Sequence, residues 1–251
     1  MISGFLEVFL LAAALFVGSF VTAAANAWPD WKQIISGRSG CGECGRRLSL
    51  IELIPVVSFL LQRGACRTCG ARIWWLHPVG EIFALFIAAL SVFVFDGAWS
   101  LAGCLFGWIL LFGALVDART FLLPDVVTLG LIPAGLAMSY TSGGQSQLVM
   151  SALGAVIGFA SLAVLGLVYR WLRGREGLGL GDAKLLAAGG AWAGPYALPW
   201  IVTLGAGATL FIVLIRHVLG QKVDATTAVP LGPGLAAGCY LAYCLPYLVR
   251  I

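Results

Sequence analysis

The stretch Ala98–Asp117, AWSLAGCLFGWILLFGALVD, combines the two features that decide the fold of this chain. Its first 19 residues carry no charge and are long enough to form a helix that crosses the hydrocarbon core of a bilayer. The run ends on an aspartate. A charge is costly at the edge of a membrane, so an ionisable residue there is a candidate functional residue. Asp117 is therefore both the end of a predicted span and the first candidate for a site.

The rest of the chain has the same character. Of 251 residues, 61% are hydrophobic and only 10% are charged, with a mean hydropathy of +0.99. Soluble domains carry about 25% charged residues. Continuous apolar runs, rather than alternating ten-residue segments, exclude a membrane barrel and predict an all-α polytopic membrane protein. We expect about eight transmembrane helices, at 2–26, 78–95, 98–116, 125–142, 147–171, 183–193, 195–216 and 228–249.

The run 183–193 is too short to cross a bilayer alone. It is followed by Gly194-Pro195, so it is either tilted or continuous with the next run through a kink.

Three regions follow from this pattern. Residues 1–26 are the first transmembrane helix, 27–77 are a polar block, and 78–251 are a membrane-embedded domain. Within the polar block, Leu50–Leu61 is apolar but interrupted by Pro55. It is too short to span, and we expect it to pack on the membrane face of a small domain.

Charge placement predicts the orientation. If the block 27–77 is cytoplasmic, 14 of the 15 Lys and Arg residues fall inside, and only Arg250 falls outside. Both termini are then outside, and Asp117 and Asp182 lie on the cytoplasmic face. The net charge of +4 is therefore interpreted through its placement rather than its size. The expected partners include the lipid bilayer and no nucleic acid. The 14 residues are Lys32, Arg38, Arg46, Arg47, Arg63, Arg67, Arg72, Arg119, Arg170, Arg173, Arg175, Lys184, Arg216 and Lys222.

The polar block contains two C-x-x-C pairs, Cys41-Gly-Glu-Cys44 and Cys66-Arg-Thr-Cys69. Two such knuckles place four thiolates around one tetrahedral metal, as in zinc ribbons. A loop domain of about fifty residues has little core of its own, so a metal stabilises it. A pair of redox disulfides is the alternative, which cytoplasmic placement disfavours. Four cysteines leave no open position for catalytic zinc.

Several carboxylates lie near membrane edges. Asp182 follows Gly179-Leu180-Gly181, whose glycines allow another segment to approach closely. Asp125 follows Pro124, as expected in the first turn of a helix. Glu81, after His77-Pro78, could cap its helix or pair with an arginine.

Asp117 and Asp182 are the best candidates for a shared site. Two carboxyl groups a few ångströms apart do not both ionise easily, so they share a proton. One then serves as general base and the other as general acid in peptide hydrolysis. The pattern predicts a membrane aspartic protease.

At several points the chain resembles the type IV prepilin peptidases, which are membrane aspartic proteases of the GxGD kind. Asp117-Ala-Arg-Thr-Phe-Leu-Leu-Pro124-Asp125 resembles their first catalytic segment, and Gly179-Leu-Gly-Asp182-Ala-Lys184 matches the second. The remaining matches are Gly18-Ser19-Phe20, Cys41-x-x-Cys44, Leu53-Ile-Pro-Val-Val-Ser58, Arg63-Gly-x-Cys66-x-x-Cys69, Pro78-x-x-Glu81 and Val229-Pro-Leu-Gly-Pro233.

This resemblance implies that Asp117 and Asp182 are catalytic, supported by Gly179, Gly181, Lys184 and Asp125. It implies cleavage of the leader peptide of prepilins or pseudopilins at the cytoplasmic face. It also implies N-methylation of the new N-terminus with S-adenosylmethionine, linked to the cytoplasmic domain. The expected cofactor is structural zinc on Cys41, Cys44, Cys66 and Cys69.

Two other classes of function remain open from the residues alone. A membrane transporter with a zinc ribbon would use the aspartates for ions or protons, since intramembrane carboxylates also mark such paths. A thiol-redox membrane protein would use the C-x-x-C pairs.

Overall fold

The computed structural model describes residues 2–30, 40–49, 51–174, 177–219 and 229–248, and these residues are mainly helical. Five residues that enter the orientation argument, Lys32, Arg38, Arg175, Lys222 and Arg250, lie outside them. The α-helices are α1 (Ile2–Ala27), α2 (Val57–Leu61), α3 (Leu76–Val94), α4 (Ala98–Thr120), α5 (Asp125–Arg173), α6 (Leu180–Ala193), α7 (Leu198–Val218) and α8 (Gly232–Leu248).

Within the described ranges, five helices are long and apolar enough to cross a membrane: α1, α3, α4, α5 and the segment Pro195–Val218 that contains α7. The helix α5 has 49 residues and a kink at Gly144, where φ is 65° and ψ is −150°. Two helical segments therefore meet at Gly144, as the predicted runs 125–142 and 147–171 require. The chain is a multi-pass helical membrane protein, and the count of eight spans stays a prediction.

The Cα positions divide the chain into two compact units, Met1–Leu115 and Val116–Ile251, with the boundary inside α4. The regions predicted from sequence were divided by charge and hydropathy, which gave a boundary between residues 77 and 78. That division stays a prediction.

In the first unit, α1 and α3 pack through glycines. A Cβ at Gly18 would lie 2.7 Å from the Cα of Glu81, and one at Gly80 would overlap the hydroxyl of Thr22. The Trp108 indole on α4 donates a 3.0 Å hydrogen bond to the carbonyl of Ala84. Small residues let membrane helices approach closely and gain van der Waals contact.

The apolar segment around Pro55 lies between the cysteine knuckles in the sequence. It forms a 3₁₀ turn at Ile51–Leu53 and the five-residue helix α2. Neither element is long enough to span a bilayer, as expected. Leu60 and Leu61 on α2 are 68% and 63% exposed.

In the second unit, the short helix α6 is enclosed by protein. Gly154 on α5 and Gly190 on α6 have their backbones in contact, and a Cβ at Gly158 would lie 2.7 Å from the carbonyl oxygen of Leu186. On another side, the Cys239 thiol of α8 approaches the carbonyl oxygen of Leu185 at 3.8 Å. Because neighbouring helices cover it, α6 is embedded although it has only 14 residues.

Candidate active site and metal centre

Asp117 is buried near the C-terminal end of α4, with 5% of its surface exposed. The helix ends shortly after it, because Phe121 adopts a left-handed conformation with φ 56°. The N–H of Phe121 donates a 2.9 Å hydrogen bond to the carbonyl oxygen of Asp117. Pro124 then caps α5. Asp125 lies in the first turn of that helix, as the preceding proline predicts.

The Asp117 side chain accepts a hydrogen bond from a distant part of the chain. The backbone N–H of Gly232, at the start of α8, donates to Asp117 Oδ2 at 3.0 Å. The first N–H groups of a helix have no partner within the helix and carry partial positive charge, so they suit a carboxylate. A Cβ at residue 232 would lie 2.5 Å from the same oxygen, so this approach requires glycine.

The sequence alone predicts no role for Gly232. The element Val229-Pro-Leu-Gly-Pro233 was recognised only as part of a family pattern. Its prolines and glycine before an apolar run are a signal for the start of a helix. That signal locates the free N–H groups but does not say which side chain they face.

Asp182 lies in the first turn of α6, which begins at Leu180 with Gly179 as its N-cap residue. The Asp182 carboxylate accepts a hydrogen bond from the backbone N–H of Gly179. This is one half of a capping box, in which the third helical residue reaches back to the N-cap N–H. Asp182 is half-buried.

The Asp117 and Asp182 carboxyl groups interact electrostatically. Asp117 is buried and Asp182 is half-buried. Such a pair favours a state that holds one proton between the two groups. The arrangement can therefore supply one base and one acid to the same bound molecule.

The two helices that carry this region are joined by an ion pair. Lys184 Nζ on α6 lies 2.6 Å from Asp125 Oδ1 at the start of α5. The backbone also approaches closely here, because a Cβ at Gly181 would lie 3.0 Å from the Cβ of Leu123. Lys184, Asp125 and Gly181 thus hold the α6 start, and with it Asp182, against the start of α5.

The four cysteines of the polar block form one cluster. Their sulfur atoms all lie within 4.8 Å of one another, and those of Cys41 and Cys69 are 3.7 Å apart. A tetrahedral metal with Zn–S bonds of about 2.3 Å places its sulfurs about 3.8 Å apart, which fits this cluster.

The two knuckles have the same backbone conformation and hydrogen bonds. The N–H of Cys41 bonds to the carbonyl of Arg46, and the N–H of Cys66 bonds to that of Ala71. Gly45 and Gly70, each four residues after the first cysteine of its pair, have φ of 67° and 71°. Both knuckles therefore contain the same tight turn.

Each knuckle favours a thiolate at its first cysteine. Backbone N–H groups of Cys69 and Thr68 donate to the Cys66 sulfur and lower the pKa of that thiol to about 6. The thiolate is the form that binds metal. The same effect, from the N–H groups of Cys44 and Glu43, lowers the pKa of Cys41.

An ion pair joins the first knuckle to the 3₁₀ turn. The guanidinium of Arg46 contacts both carboxylate oxygens of Glu52, at 2.6 and 3.2 Å. Together with donors from Ser49, it lowers the pKa of Glu52 from 4.5 to about 2. The pair therefore stabilises this domain above about pH 4.5, and the contribution is lost as the pH falls towards 2.

The fold and these two clusters define a multi-pass helical membrane protein with two neighbouring aspartates and four cysteines that could hold a metal ion. Residues 12–95 match the Bacterial Peptidase A24 N-terminal domain, and residues 104–220 match the Type IV leader peptidase family. The chain belongs to the type IV leader peptidase family.

Similar proteins carry one common name. The prepilin leader peptidase/N-methyltransferase of Aeromonas hydrophila is 36% identical over 82% of this chain and 70% of its own length. That of Pseudomonas aeruginosa is 32% identical, over 91% of this chain and 86% of the relative. That of Burkholderia pseudomallei strain 1026b is 38% identical, over 86% of this chain and 69% of the relative. No solved structure matches this chain.

The metal site gives a first prediction. Purified under reducing conditions without chelator, the protein should contain about one zinc per chain, measured by elemental analysis. Cys41→Ser and Cys69→Ser should each lose the metal, because three thiolates bind it far less tightly. Cys104→Ser, which changes a buried cysteine on α4, should keep it. A metal-free wild-type protein, or full zinc in Cys69→Ser, contradicts this assignment.

The contact between Gly232 and Asp117 gives a second prediction. Gly232→Ala should lower leader cleavage about 100-fold, because the added Cβ displaces the Asp117 carboxylate and a shift of about 1 Å has that effect. The matched control is Gly207→Ala on α7, where a Cβ meets nothing within 4 Å. Both variants are compared in membranes at equal protein level. Wild-type cleavage by Gly232→Ala would show that the contact is not needed.

The ion pair between Lys184 and Asp125 gives a third prediction. The side chains are 26% and 63% exposed, so the pair contributes at most about 1 kcal/mol to stability. We expect the pair to affect leader cleavage. Lys184→Asp and Asp125→Lys should each lower the cleavage rate, and the double variant should recover part of that rate. Recovery is partial because a lysine at the start of α5 opposes the helix dipole. A double variant no more active than the weaker single variant excludes a positioning role for the pair.

Proposed function

We propose that this protein is a membrane aspartic endopeptidase that removes the leader peptide from type IV prepilins or pseudopilins, and that it also N-methylates the new N-terminus. The paired carboxyl groups of Asp117 and Asp182, in a chain of the type IV leader peptidase family, carry the proposal. The transporter and thiol-redox alternatives find no support among the relatives.

In the proposed mechanism the carboxyl pair acts on the scissile peptide bond with one proton between its members. The ionised member takes a proton from a water molecule, and that water attacks the carbonyl carbon. The protonated member gives its proton to the leaving amine. The N–H groups of Gly232 and Gly179 orient the two carboxyl groups during these transfers. This pair accounts for hydrolysis without an open metal position.

The predicted orientation of the chain in the membrane supports the same substrate class. We propose eight spans with the cysteine domain and both aspartates on the cytoplasmic side of the bacterial inner membrane, because nearly all cations then lie inside. A prepilin is itself anchored by an apolar helix. Its leader junction would meet Asp117 at the end of α4, where apolar helix gives way to polar loop.

The metal is proposed to be structural zinc. Cys41, Cys44, Cys66 and Cys69 would hold it, and the metal would cross-link two knuckles that have little apolar core of their own.

For methylation, S-adenosylmethionine would be a second substrate rather than a bound group. The methyl group leaves the sulfonium sulfur as the carbon–sulfur bond breaks and a nitrogen–carbon bond forms, and the amine loses one proton. Among the described residues we find no set of side chains that fits this donor, so we assign it no site.

The proposed function is tested by a fourth prediction. Membranes that contain the protein are mixed with a prepilin, and leader removal is followed by gel mobility and mass. Asp117→Asn and Asp182→Asn should each lower the rate by at least about 100-fold, because general acid–base catalysis contributes about that much. Asp96→Asn, an exposed carboxylate between α3 and α4, should cleave normally. Wild-type rates in either variant of the pair contradict the proposal.

A further inference from the structure

Glu81 on α3 is a buried carboxylate outside the carboxyl pair, with 5% of its surface exposed. From sequence it was expected to cap its helix or to pair with an arginine. Instead, its Oε2 accepts a 2.6 Å hydrogen bond from the backbone N–H of Val56. The hydroxyl of Ser19 on α1 donates another. Glu81 therefore joins α1, α3 and the connection between the two cysteine knuckles.

The backbone that Glu81 holds is strained. Val56 has φ 58° and ψ −51°, and the N–H of Val57 donates to the carbonyl of Pro55 at 2.5 Å. This is the rare γ-turn with positive φ, which is strained even for favourable residues. A β-branched residue at positive φ is an outlier. Such a conformation persists only when its surroundings impose it, and it occurs most often at functional sites.

The position of the Glu81 backbone is fixed by close packing. A Cβ at Gly18 would lie 2.7 Å from Glu81 Cα and 2.8 Å from Ala84 Cβ. At the neighbouring Gly80, a Cβ would overlap the hydroxyl of Thr22. The backbones of α1 and α3 therefore touch at this level.

The peptidase mechanism does not use this cluster. Among the described residues the buried carboxylates are Glu52, Glu81 and Asp117. Arg46 holds Glu52, and Asp117 belongs to the carboxyl pair. Glu81 and Val56 lie in the region 12–95 that matches the N-terminal domain, whereas the pair lies in the region 104–220.

We propose that Glu81 is a positioning residue for methyl transfer: as a hydrogen-bond acceptor it holds the strained turn at Val56 in the conformation that this second reaction needs. The inference rests on the proposed function. Transfer between two small groups depends on alignment of the reacting atoms, so a displaced turn lowers its rate. Peptide hydrolysis uses residues of the other unit and does not depend on this turn.

The test separates the role of an acceptor from that of a charge. Glu81→Leu removes the acceptor at similar size, whereas Glu81→Gln keeps an oxygen that accepts from Val56. Val56→Gly removes the strain, because glycine adopts positive φ readily. The double variant Glu81→Leu/Val56→Gly should therefore hold the turn without the carboxylate. Glu7→Leu on α1 is the matched control.

The full-length protein in membranes is assayed in three ways. Cleavage uses an intact prepilin. Methyl transfer uses an already cleaved acceptor peptide with S-adenosylmethionine, so it does not depend on cleavage. Amide hydrogen exchange over residues 51–61 reports the turn itself.

In Glu81→Leu we expect methyl transfer to fall at least about tenfold and exchange over 51–61 to rise, with cleavage unchanged within about twofold. Glu81→Gln, Glu7→Leu and the double variant should keep methyl transfer within about threefold of the wild type.

Three results overturn the inference. If Glu81→Gln is as inactive as Glu81→Leu, the charge matters and not the acceptor. If the double variant does not recover methyl transfer, the loss in Glu81→Leu is not caused by the turn at Val56. If Glu81→Leu loses cleavage in parallel, its role is general stability. A wild-type protein that cleaves but does not methylate removes this inference alone, whereas one that does neither removes the proposed function as well.

Discussion

A carboxylate buried beside apolar helices must receive hydrogen bonds from the protein, since it has given up those from water. For Asp117 the donor is the N–H of Gly232, which is 115 residues away in the chain. This bond requires that α8 begin at Gly232 and that nothing larger than glycine stand there. The packing of α6 between α5 and α8 then determines where Asp182 can be. The second unit is thus built around one buried acidic group and its donor.

Glycine makes the other close contacts possible. The chain contains 33 glycines, and several of them lie where two helices touch. Lipid gives helices little hydrophobic reason to associate, so close backbone contact and van der Waals attraction hold them together. The pair Gly154 and Gly190 joins α5 to α6 in this way. The same kind of contact brings α1 to α3 at Gly18, where it also fixes the backbone of Glu81.

What could be predicted from sequence is what depends on neighbours along the chain. Long apolar runs predicted the helices, C-x-x-C spacing predicted the sulfur cluster, and Pro124 predicted the place of Asp125 in a first turn. The partners of Glu81 and the role of Gly232 could not be predicted, because each depends on a contact between distant segments. The strained turn at Val56 was equally invisible, since local preference argues against it. The short run 183–193 was ambiguous for the same reason: its burial is provided by α5 and α8.

Each of the three connections between helices that the charge pattern predicts to be external contains a glycine with positive φ: Gly97, Gly144 and Gly194, at 57°, 65° and 78°. In the predicted orientation these three connections are short, so antibodies and proteases would find little polypeptide between the helices on that side. An epitope inserted at Gly144 or Gly194 would have to part segments that are joined by a single turn. Anyone who labels this protein should therefore choose the opposite face, where the connections are longer.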